Sequence, residues 1–379
     1  MSTQTLTVIK SGTGTGTVTS NLNGINCGST CSYQFISGSS VTLTATPDSL
    51  SIFSGWSGDA NGINSIITVI MDSNKSVIAT FDINSNAGYF SGGYNFDTRY
   101  QNFIDKLSFN SENISTLNET LSQAIIDQSA CNWTLAGYFA GGSHGIKSQR
   151  FIDKLSFDNE LISTLETMLS RFVYRQSACN SILAGYFAGG RAYCSLNSID
   201  KLLFNNESIS ELRTTLSQPI FDHSSCDSSS AGYFAGGLND EYQDFIDKLS
   251  FDNETIKTLE ATLSRNLAYQ SSCNSALAGY FAGGLRSDYH YSLIDKLTYN
   301  DETISTLTTT LSRPIYDQSA CNSTLDGYFA GGIGYYNDNF HYEKHIDKLS
   351  FDNEILFTLD VTLSRIVFGQ STCQSGGIL

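Results

Sequence analysis

The sequence predicts an all-β protein with a small N-terminal β module, residues 1–83, and a ring of repeated β-sheets over residues 84–379. Three observations support this: a motif repeated at a nearly constant interval, strand-like segments in every copy, and a change of composition near residue 84. The 379 residues are 40% hydrophobic, enough for packed cores. Their net charge of −16 argues against a nucleic-acid partner, because phosphate binding needs a surplus of lysine and arginine.

Membrane insertion is not expected either. No apolar run approaches the roughly 18 residues that a membrane-spanning helix needs. The first residues, MSTQTLTVIK, lack the long apolar segment of a signal peptide. We therefore expect a soluble chain whose export signal, if it had one, has been removed.

Residues 1–83 are rich in Thr, Ser, Gly and Val. The segments TLTVIK, SSVTLTATP and KSVIATFDI alternate in polarity and are separated by glycine-containing turns. Alternation over such short lengths predicts strands, and hence a small β module.

A repeat accounts for the rest of the chain. The motif AGYFAGG, or a close variant, recurs at intervals of 47 to 49 residues, with its first glycine at Gly88, Gly137, Gly185, Gly232, Gly279 and Gly327. Each copy continues with IDKL, an Asp-Asn-Glu-like turn, a Thr/Leu-rich segment and a segment such as SACNSTL. These segments predict four short strands per copy, although Ile304, Leu307 and Leu311 of one Thr/Leu-rich segment also fit a helical face. Four strands per period are typical of a β-propeller blade.

The two ends of the repeat region complement each other. It opens on a second strand, residues 87–90, and closes on a lone first strand, residues 368–373. Together they complete one sheet, which predicts six blades closed by the C-terminal strand. Closure removes the exposed sheet edge that an open array would leave.

The repeat resembles the kelch family. The paired glycines Gly141–Gly142, the aromatic Phe139 before them and the segment Phe221-Asp222-His223-Ser224 match its pattern. The tryptophan that kelch blades usually carry on the outer strand is replaced by Leu117, Leu165, Leu212, Leu259, Leu307 and Leu359. The resemblance implies a divergent kelch-like propeller of bacterial or phage type, and it does not imply the adaptor function of eukaryotic kelch proteins.

Residues 1–83 resemble the divergent internalin B-repeat-type module of bacterial surface proteins. The segments TLTVIKSGTGTGTVTSN, GINCGSTCS and FSGWSGD occur in the family's order. The resemblance implies that Trp56 is a core aromatic and that the chain is extracellular or displayed on a cell surface. In that context we expect Cys27 and Cys31 to form a disulfide, with a pair of free thiols as the alternative.

Six further cysteines recur once per copy: Cys131, Cys179, Cys226, Cys273, Cys321 and Cys373. A ring of thiols could bind a metal, but first strands on neighbouring sheets lie about 10 Å apart and supply no other ligand type. We interpret these cysteines as buried apolar filler. Cys194 stands alone in a loop and is expected to be a free thiol.

Two segments differ in every copy. One is the loop between the double glycine and IDKL: residues 94–103, 143–151, 191–198, 238–245, 285–293 and 333–345. The other, here called the approach segment, leads into the first strand: residues 123–127, 171–175, 218–222, 265–269, 313–317 and 365–369. In an antiparallel blade both emerge on the same side, which we call the variable face. Variation on loops above a constant scaffold is typical of a binding surface.

The candidate ligand-binding residues of this face are Tyr94, Tyr100, His144, Tyr193, Tyr242, Tyr289, Tyr291, Tyr335, Tyr336, His341 and Tyr342. Tyrosine supplies rigid amphipathic contact area of the kind that antibody paratopes use. The alternative is a solvated loop face whose tyrosines only cover the blades beneath.

No catalytic motif stands out. A Ser-His-Asp order, a His-Glu-x-x-His segment, a phosphate loop and sialidase-type aspartate boxes do not occur in the sequence. His341 and His345, beside Glu343 and Asp338, are weak candidates for a metal site, so we expect no cofactor or metal. The IDKL aspartates are too regular for catalysis, and we expect each to anchor a loop or to pair with Lys or Arg between blades.

These observations predict a non-enzymatic, extracellular or cell-surface protein that recognises a glycan or a surface protein through the variable face. A structural subunit that self-assembles into a filament, sheath or surface layer is the main alternative. An enzyme using the central pocket is the third.

Overall fold

A computed structural model describes residues 2–12, 14–48, 51–83, 86–336 and 339–376. The chain divides into two compact units, Met1–Ser85 and Asn86–Leu379. The predicted division between residues 83 and 84 lies two residues before this one. Within the described part of the chain, no helix has the length and apolarity to cross a membrane.

The first unit is a two-sheet β module. One sheet has the order β3-β1-β7-β5 and the other β2-β4-β6. Side chains of both sheets meet in one core, which includes Leu6, Val18, Leu43 and Phe81. Trp56 is 4% exposed in this core, as the resemblance implies, and Cys27 and Cys31 form the expected disulfide. The strands are β1 (Thr3–Ser11), β2 (Gly16–Ser20), β3 (Ser32–Ile36), β4 (Ser40–Pro47), β5 (Ser51–Gly58), β6 (Ile66–Ile70) and β7 (Lys75–Ile83).

The second unit contains the repeat. Its first three copies contribute β8 (Ala87–Ser91), β9 (Tyr94–Asn95), β10 (Arg99–Tyr100), β11 (Ile104–Ser108), β12 (Ile114–Thr116), β13 (Ser129–Trp133), β14 (Ala136–Ala140), β15 (Ser143–His144), β16 (Lys147–Ser148), β17 (Ile152–Ser156), β18 (Ile162–Thr164), β19 (Ser177–Asn180), β20 (Ala184–Ala188), β21 (Ile199–Leu203) and β22 (Ser208–Glu211).

The last three copies contribute β23 (Ser224–Asp227), β24 (Ala231–Ala235), β25 (Ile246–Ser250), β26 (Thr255–Thr258), β27 (Ser271–Asn274), β28 (Ala278–Ala282), β29 (Leu285–Arg286), β30 (Tyr289–His290), β31 (Ile294–Thr298), β32 (Thr303–Thr306), β33 (Ile315–Tyr316), β34 (Ser319–Asn322), β35 (Asp326–Ala330), β36 (Ile333–Tyr336), β37 (Asn339–Tyr342), β38 (His345–Ser350), β39 (Leu356–Thr362) and β40 (Ser371–Ser375).

Four strands of each copy form one antiparallel sheet, numbered here in chain order. Sheets 2 to 6 have the orders β13-β14-β17-β18, β19-β20-β21-β22, β23-β24-β25-β26, β27-β28-β31-β32 and β34-β35-β38-β39. Sheet 1 has the order β12-β11-β8-β40, so its first strand comes from the C-terminal end of the chain. The all-β propeller and its closure by the C-terminal strand are therefore confirmed.

Neighbouring sheets meet through the same three contacts in all six copies. A second-strand tyrosine stacks on an aromatic ring of the next sheet, with ring centroids 4.9 to 5.5 Å apart. The lysine of IDKL pairs with the glutamate of the next sheet's turn. The first-strand cysteine packs against the glycine at the second position of the next sheet's second strand. Tyr328–Phe109, Lys348–Glu112 and Cys321–Gly88 repeat these contacts between sheets 6 and 1, which closes the ring.

In two details the structure selects one of the alternatives that the sequence left open. The IDKL aspartates anchor loops and do not pair with Lys or Arg: Asp153 accepts hydrogen bonds from Thr164 in its own sheet and from Ser122 in the preceding connection. The Thr/Leu-rich segments are strands, as the threonine content indicates. They pair over only three or four residues in sheets 1 to 5, because the chain then leaves the sheet toward its neighbour.

Candidate functional site: the variable face of the propeller

The loops and approach segments that vary between copies lie side by side. In each sheet the approach segment pairs with the start of the following loop, through Ile126 and Ser143 in sheet 2 and Tyr94 and Phe368 in sheet 1. In sheet 6 the pairing extends to a small sheet of β33, β36 and β37. Both kinds of segment therefore emerge together and build one face.

An aromatic cluster occupies this face over sheets 1, 2 and 6. The ring of Tyr94 contacts Phe96, Tyr100 and Phe368, with centroids 5.2 to 5.5 Å apart. Tyr342 contacts Phe96 at 4.5 Å, and His144 contacts Tyr100 at 4.6 Å. Four of the predicted residues, Tyr94, Tyr100, His144 and Tyr342, thus meet in one cluster.

A pocket of about 810 Å³ opens beside this cluster. Its other wall is built by Phe172 and Tyr174 of an approach segment and by Tyr193 of a loop. Phe172 is 53% exposed, with the Arg150 guanidinium 5.1 Å from its ring centroid, and Tyr193 is fully exposed, so both side chains can contact a ligand. The lining residues are Tyr94, Phe96, Tyr100, Ile126, Asp127, Ser143, Gly145, Ile146, Lys147, Ser148, Gln149, Phe172, Tyr174, Arg175, Ala192, Tyr193 and Phe368.

The floor of the pocket reaches the mouth of the central channel. Here the last residue of each approach segment donates its backbone N–H to the carbonyl oxygen of its counterpart in the preceding sheet, at 2.9 to 3.2 Å. These bonds form a closed circle of Asp127, Arg175, Asp222, Tyr269, Asp317 and Gly369. All these residues have φ between 53° and 63°, a strained region for side chains other than glycine.

Arg175 is the cation of this circle. Its Nε donates to Asp127 Oδ2 at 3.0 Å, and its Nη1 donates to Asp222 Oδ2 at 3.3 Å and to the Tyr269 hydroxyl at 3.0 Å. Burial raises the pKa of Asp222 to about 7, although Arg175 acts in the opposite direction. Burial and the neighbouring carboxylates also raise the pKa of Asp317 well above its usual value. The mouth therefore holds more acidic groups than its arginine neutralises.

Below the mouth, the lining of the channel is mostly polar. A cavity of about 180 Å³ is lined by serine, glutamine and asparagine side chains of the first strands. Asn180 and Asp227 each cap a backbone N–H of the preceding first strand, at Asn132 and Asn180 respectively, both at 3.3 Å. Side chains of the first strands thus form hydrogen bonds within the channel that link neighbouring sheets.

The remaining predicted residues lie outside the pocket lining. Tyr335 stacks on His290 at 5.3 Å and contacts Phe340 at 5.0 Å, which makes a second aromatic group over sheets 5 and 6. Tyr336 stacks on His341 at 3.8 Å. Tyr291 lies under the guanidinium of Arg265. Tyr289 is 72% exposed, and Tyr242, within the loop of residues 238–245, is half-buried.

One histidine of the sixth loop, His345, belongs to an ion-pair network around Glu343, whereas His341 contacts Tyr336. Glu343 accepts hydrogen bonds from the Tyr336 hydroxyl at 2.7 Å and from His345 Nδ1 at 3.0 Å, and it pairs with Arg313. These donors lower the pKa of Glu343 to about 2, against the opposing effect of burial. Asp338 lies outside the described residues. Among those that are described, no group of three or more His, Cys, Asp or Glu side chains is placed to hold a metal ion.

Sequence reasoning identified Tyr94, Tyr100 and Tyr193 of the pocket and missed most of the other lining residues. Phe96, Phe172, Tyr174 and Phe368 line it but were not among the predicted residues, and neither were Asp127 and Arg175 of the mouth. A signal was present, because position 175 of the second approach segment carries Arg where the other copies carry Asp, Tyr or Gly. When the charge at one repeat position differs between copies, the side chain at that position is not needed to build the repeated sheet.

Comparison with known proteins agrees with both units. Residues 6–85 match a family described as the divergent InlB B-repeat domain. The solved structure of YjhT, a β-propeller, aligns with a TM-score of 0.56 over 65% of this chain and 86% of that chain, at 13% identity. No match was found among curated proteins. A surface-type repeat domain joined to a propeller fits a binding or surface protein in general terms.

Proposed function

We propose that this protein is an extracellular or cell-surface glycan-binding protein, and that the 810 Å³ pocket of the variable face is its binding site. The six sheets act as kelch-like blades that hold the binding loops. The observation that carries the proposal is the aromatic lining of this pocket, with polar side chains at its edge.

The pocket has the composition that saccharide binding requires. Its size lies within the range of about 300–1,000 Å³ that is usual for small-molecule sites. Tyr94, Phe172 and Tyr193 line the pocket with aromatic rings, the side-chain type on which the C–H groups of a sugar can stack. Gln149, Ser148 and Lys147 supply donors and acceptors for hydroxyl groups along one edge.

The pocket favours binding over hydrolysis. Glycosidases generally place two carboxyl groups on opposite sides of the bond that they cleave. Asp127 is the sole carboxylate among the lining residues that the structure describes, and it already accepts a hydrogen bond from Arg175. A ligand held here would contact mainly aromatic rings and the side chains of Lys147, Ser148 and Gln149, while the carboxyl groups of Asp222 and Asp317 lie outside this lining, in the mouth beneath.

The extracellular location rests on the first unit. Its similarity to the InlB B-repeat domain and its disulfide between Cys27 and Cys31 both favour an oxidising environment. The excess of acidic side chains, with a net charge of −16, favours an uncharged or cationic ligand over a nucleic acid.

Glycan-array screening of the full chain, followed by titration calorimetry on a hit, tests the proposal. We expect Tyr193→Ala and Phe172→Ala each to weaken binding about fivefold, because one ring–sugar stacking contact is worth about 1 kcal/mol. Both rings are exposed, so neither variant should change the melting temperature.

Tyr289→Ala is the matched control, since Tyr289 is an exposed tyrosine of the same face outside the pocket lining. Its affinity should equal that of the wild type. Equal affinities for all three variants and the wild type would place the site elsewhere and refute the pocket assignment. The absence of any glycan hit would refute the proposed function.

A further inference from the structure

Strand β6 is an edge of the first unit with a row of unpaired backbone groups. It pairs on one side with β4, and among the described residues no strand lies on its other side. Ala45 N donates to Ser65 O at 2.8 Å, which fixes the phase of the ladder. Hydrogen bonding alternates along an antiparallel strand, so the N–H and C=O groups of Ile66, Thr68 and Ile70 point away from β4.

The side chains of this edge are apolar and exposed. Ile66 is 59% exposed and Ile70 is 60% exposed, and Ile63, just before the strand, is 84% exposed. From Ala60 to Met71 the sequence contains neither a charged residue nor a proline, and the pairing of β6 with β4 is regular. Charges, prolines and bulges are the usual features that prevent edge strands from pairing, and β6 has none of them.

Two other edges of the same unit are covered. Along β2, Cys27 N donates to Val18 O at 2.7 Å, so the chain itself pairs with that edge. Along β5, Trp56 N donates to Gly62 O at 2.7 Å, and the strand contains a bulge. The remaining edge, β3, carries a polar side chain, Gln34, at its centre. The open apolar edge is therefore a particular feature of β6.

The sequence of β6 is complementary to itself about Thr68. When two β6 strands pair antiparallel around this residue, Thr68 lies opposite Thr68 and Ile66 lies opposite Ile70. These are the residues whose backbone groups point outward, so each opposed pair can exchange two hydrogen bonds. A threonine pair stabilises an antiparallel sheet, and the flanking isoleucine pairs remove apolar surface from water. Asp72, the first charged residue after the strand, falls opposite Asn64, so this register brings no like charges together.

We propose that the β6 edge is a self-association site, at which a second copy of this chain adds its own β6 antiparallel to the first. The sheets β2-β4-β6 of the two copies then form one continuous sheet. Both copies use the same residues, so the contact closes on itself and the assembly is a dimer. The inference does not depend on the proposed glycan-binding function. A dimer carries two variable faces and would bind a ligand displayed in many copies with avidity.

Sedimentation equilibrium of the full chain over a range of concentrations tests this site. One short strand per copy is a small interface, so we expect a monomer–dimer equilibrium with a Kd on the order of 10 µM. Thr68→Lys and Thr68→Glu should each weaken the dimer at least about fivefold, because position 68 faces itself and like charges then lie directly opposite.

An equimolar mixture of these two variants should dimerise at least as tightly as the wild type, since opposite charges then meet at the centre. Gln34→Lys adds the same charge at the centre of the other open edge and is the matched control, with the Kd of the wild type. Thr68 and Gln34 are both exposed, so the melting temperature of each variant should stay within about 2 °C of the wild type.

Loss of the dimer in the single Thr68 variants and its return in the mixture would support the proposal, because unfolded variants could not restore it. A wild type that is monomeric at every concentration would overturn a second copy as the occupant of this edge. A dimer that persists in both Thr68 variants, or that is lost in Gln34→Lys alone, would place the contact elsewhere and overturn the assignment to β6. A mixture that associates no better than the single variants would overturn the antiparallel register around Thr68.

Discussion

Single residues set the spacing between sheets. Each first-strand cysteine is buried and lies against a glycine of the next second strand, and a Cβ on that glycine would lie 2.1 to 2.3 Å from the sulfur. Cysteine fills the gap because it is small and weakly polar, and glycine is required because no side chain fits. The sequence interpretation of these cysteines as filler agrees with this packing, but their glycine partners could not be identified without the structure.

Gly327 and Cys273 allow this contact to be measured. A Cβ at position 327 would lie 2.3 Å from Cys273 Sγ but 3.3 Å from Cys273 Cβ. We expect Gly327→Ala to cost about 1–3 kcal/mol of unfolding free energy by overpacking, and Cys273→Ala to cost a similar amount through a cavity.

The double variant should be more stable than the sum of the two single effects by about 1–2 kcal/mol, because the new methyl fills the space that the sulfur vacates. Chemical denaturation of the four proteins measures this coupling energy. Strictly additive effects would contradict the proposed interlock.

Asp227 is another residue for which the repeat supplies a control. Four equivalent positions carry asparagine: Asn132, Asn180, Asn274 and Asn322. Burial raises the pKa of Asp227 to about 7, and the hydrogen bond from the Asn180 backbone acts weakly in the opposite direction. Asparagine in this place caps the backbone equally well, as Asn180 does at Asn132.

Asp227→Asn should therefore change the pH dependence of stability. Because the pKa of Asp227 is higher in the folded protein than in the unfolded chain, folding takes up a proton between about pH 4 and pH 7. The wild type then loses stability as the pH rises through this window, and the variant lacks this loss. We expect the variant to be more stable by about 1–2 kcal/mol at pH 8 and by little at pH 4, as thermal melts at both values will show. A gain that does not grow with pH would contradict the assignment.

At the scale of elements, the sequence predicted the number and order of the strands better than their lengths. Four strands per copy follow from alternation and turn residues, and sheets 2 to 6 have them in that order. The outer strand is short for a tertiary reason. After Thr116 donates to Asp105, the chain crosses to the next sheet, where Ser122 donates to Asp153. A threonine-rich segment contains no sign of that crossing.

For the candidate site, too, the sequence predicted the segments better than their arrangement in space. Tyr94, Tyr100 and Tyr342 were predicted as binding residues on the variable face, and they lie together in the aromatic cluster. Their meeting depends on ring closure, since Tyr342 belongs to the last loop and Phe96 to the first. Variation between copies indicates which segments are free to bind a ligand, but the distance between two loops depends on the completed ring.

The closing strand β40 makes an element-scale prediction. It pairs with β8 from Ser371 opposite Ser91 to Ser375 opposite Ala87, and its Cys373 packs against Gly137 of sheet 2. Deletion of residues 371–379 should open the ring and lower the melting temperature of the propeller by more than about 10 °C. Sheet 1 would lose its first strand, β8 would become an exposed edge, and the contact of Cys373 with Gly137 would be lost. Gln374→Ala in the full chain keeps the strand and should melt within about 2 °C of the wild type.

Differential scanning calorimetry of the deletion variant measures the effect. A propeller transition at the wild-type temperature after deletion would show that the other five sheets hold the ring without β40. Closure by the C-terminal strand would then be a feature of topology without a large effect on stability.

At the scale of the whole molecule, each unit has a core of its own. The core of the first unit contains residues between Leu6 and Phe81, and the cores of the second begin at Ala87. The same division separates the two states of cysteine. Cys27 and Cys31 are bonded to each other, whereas the seven cysteines of the second unit are free thiols. A reductant should therefore act on the first unit alone.

Calorimetry with and without a reductant tests this division. We expect two unfolding transitions for the full chain, because separate cores unfold separately. Reduction of the Cys27–Cys31 disulfide should lower the transition of the first unit, since closing so short a loop is worth about 2 kcal/mol on the loop-entropy model. The transition of the propeller should stay in place, as it contains no disulfide among its described residues. The variant Cys27→Ser with Cys31→Ser should reproduce the shift without reductant, and a reductant should then have no further effect. One joint transition, or a reductant shift in both, would mean that the units are energetically coupled despite their separate cores.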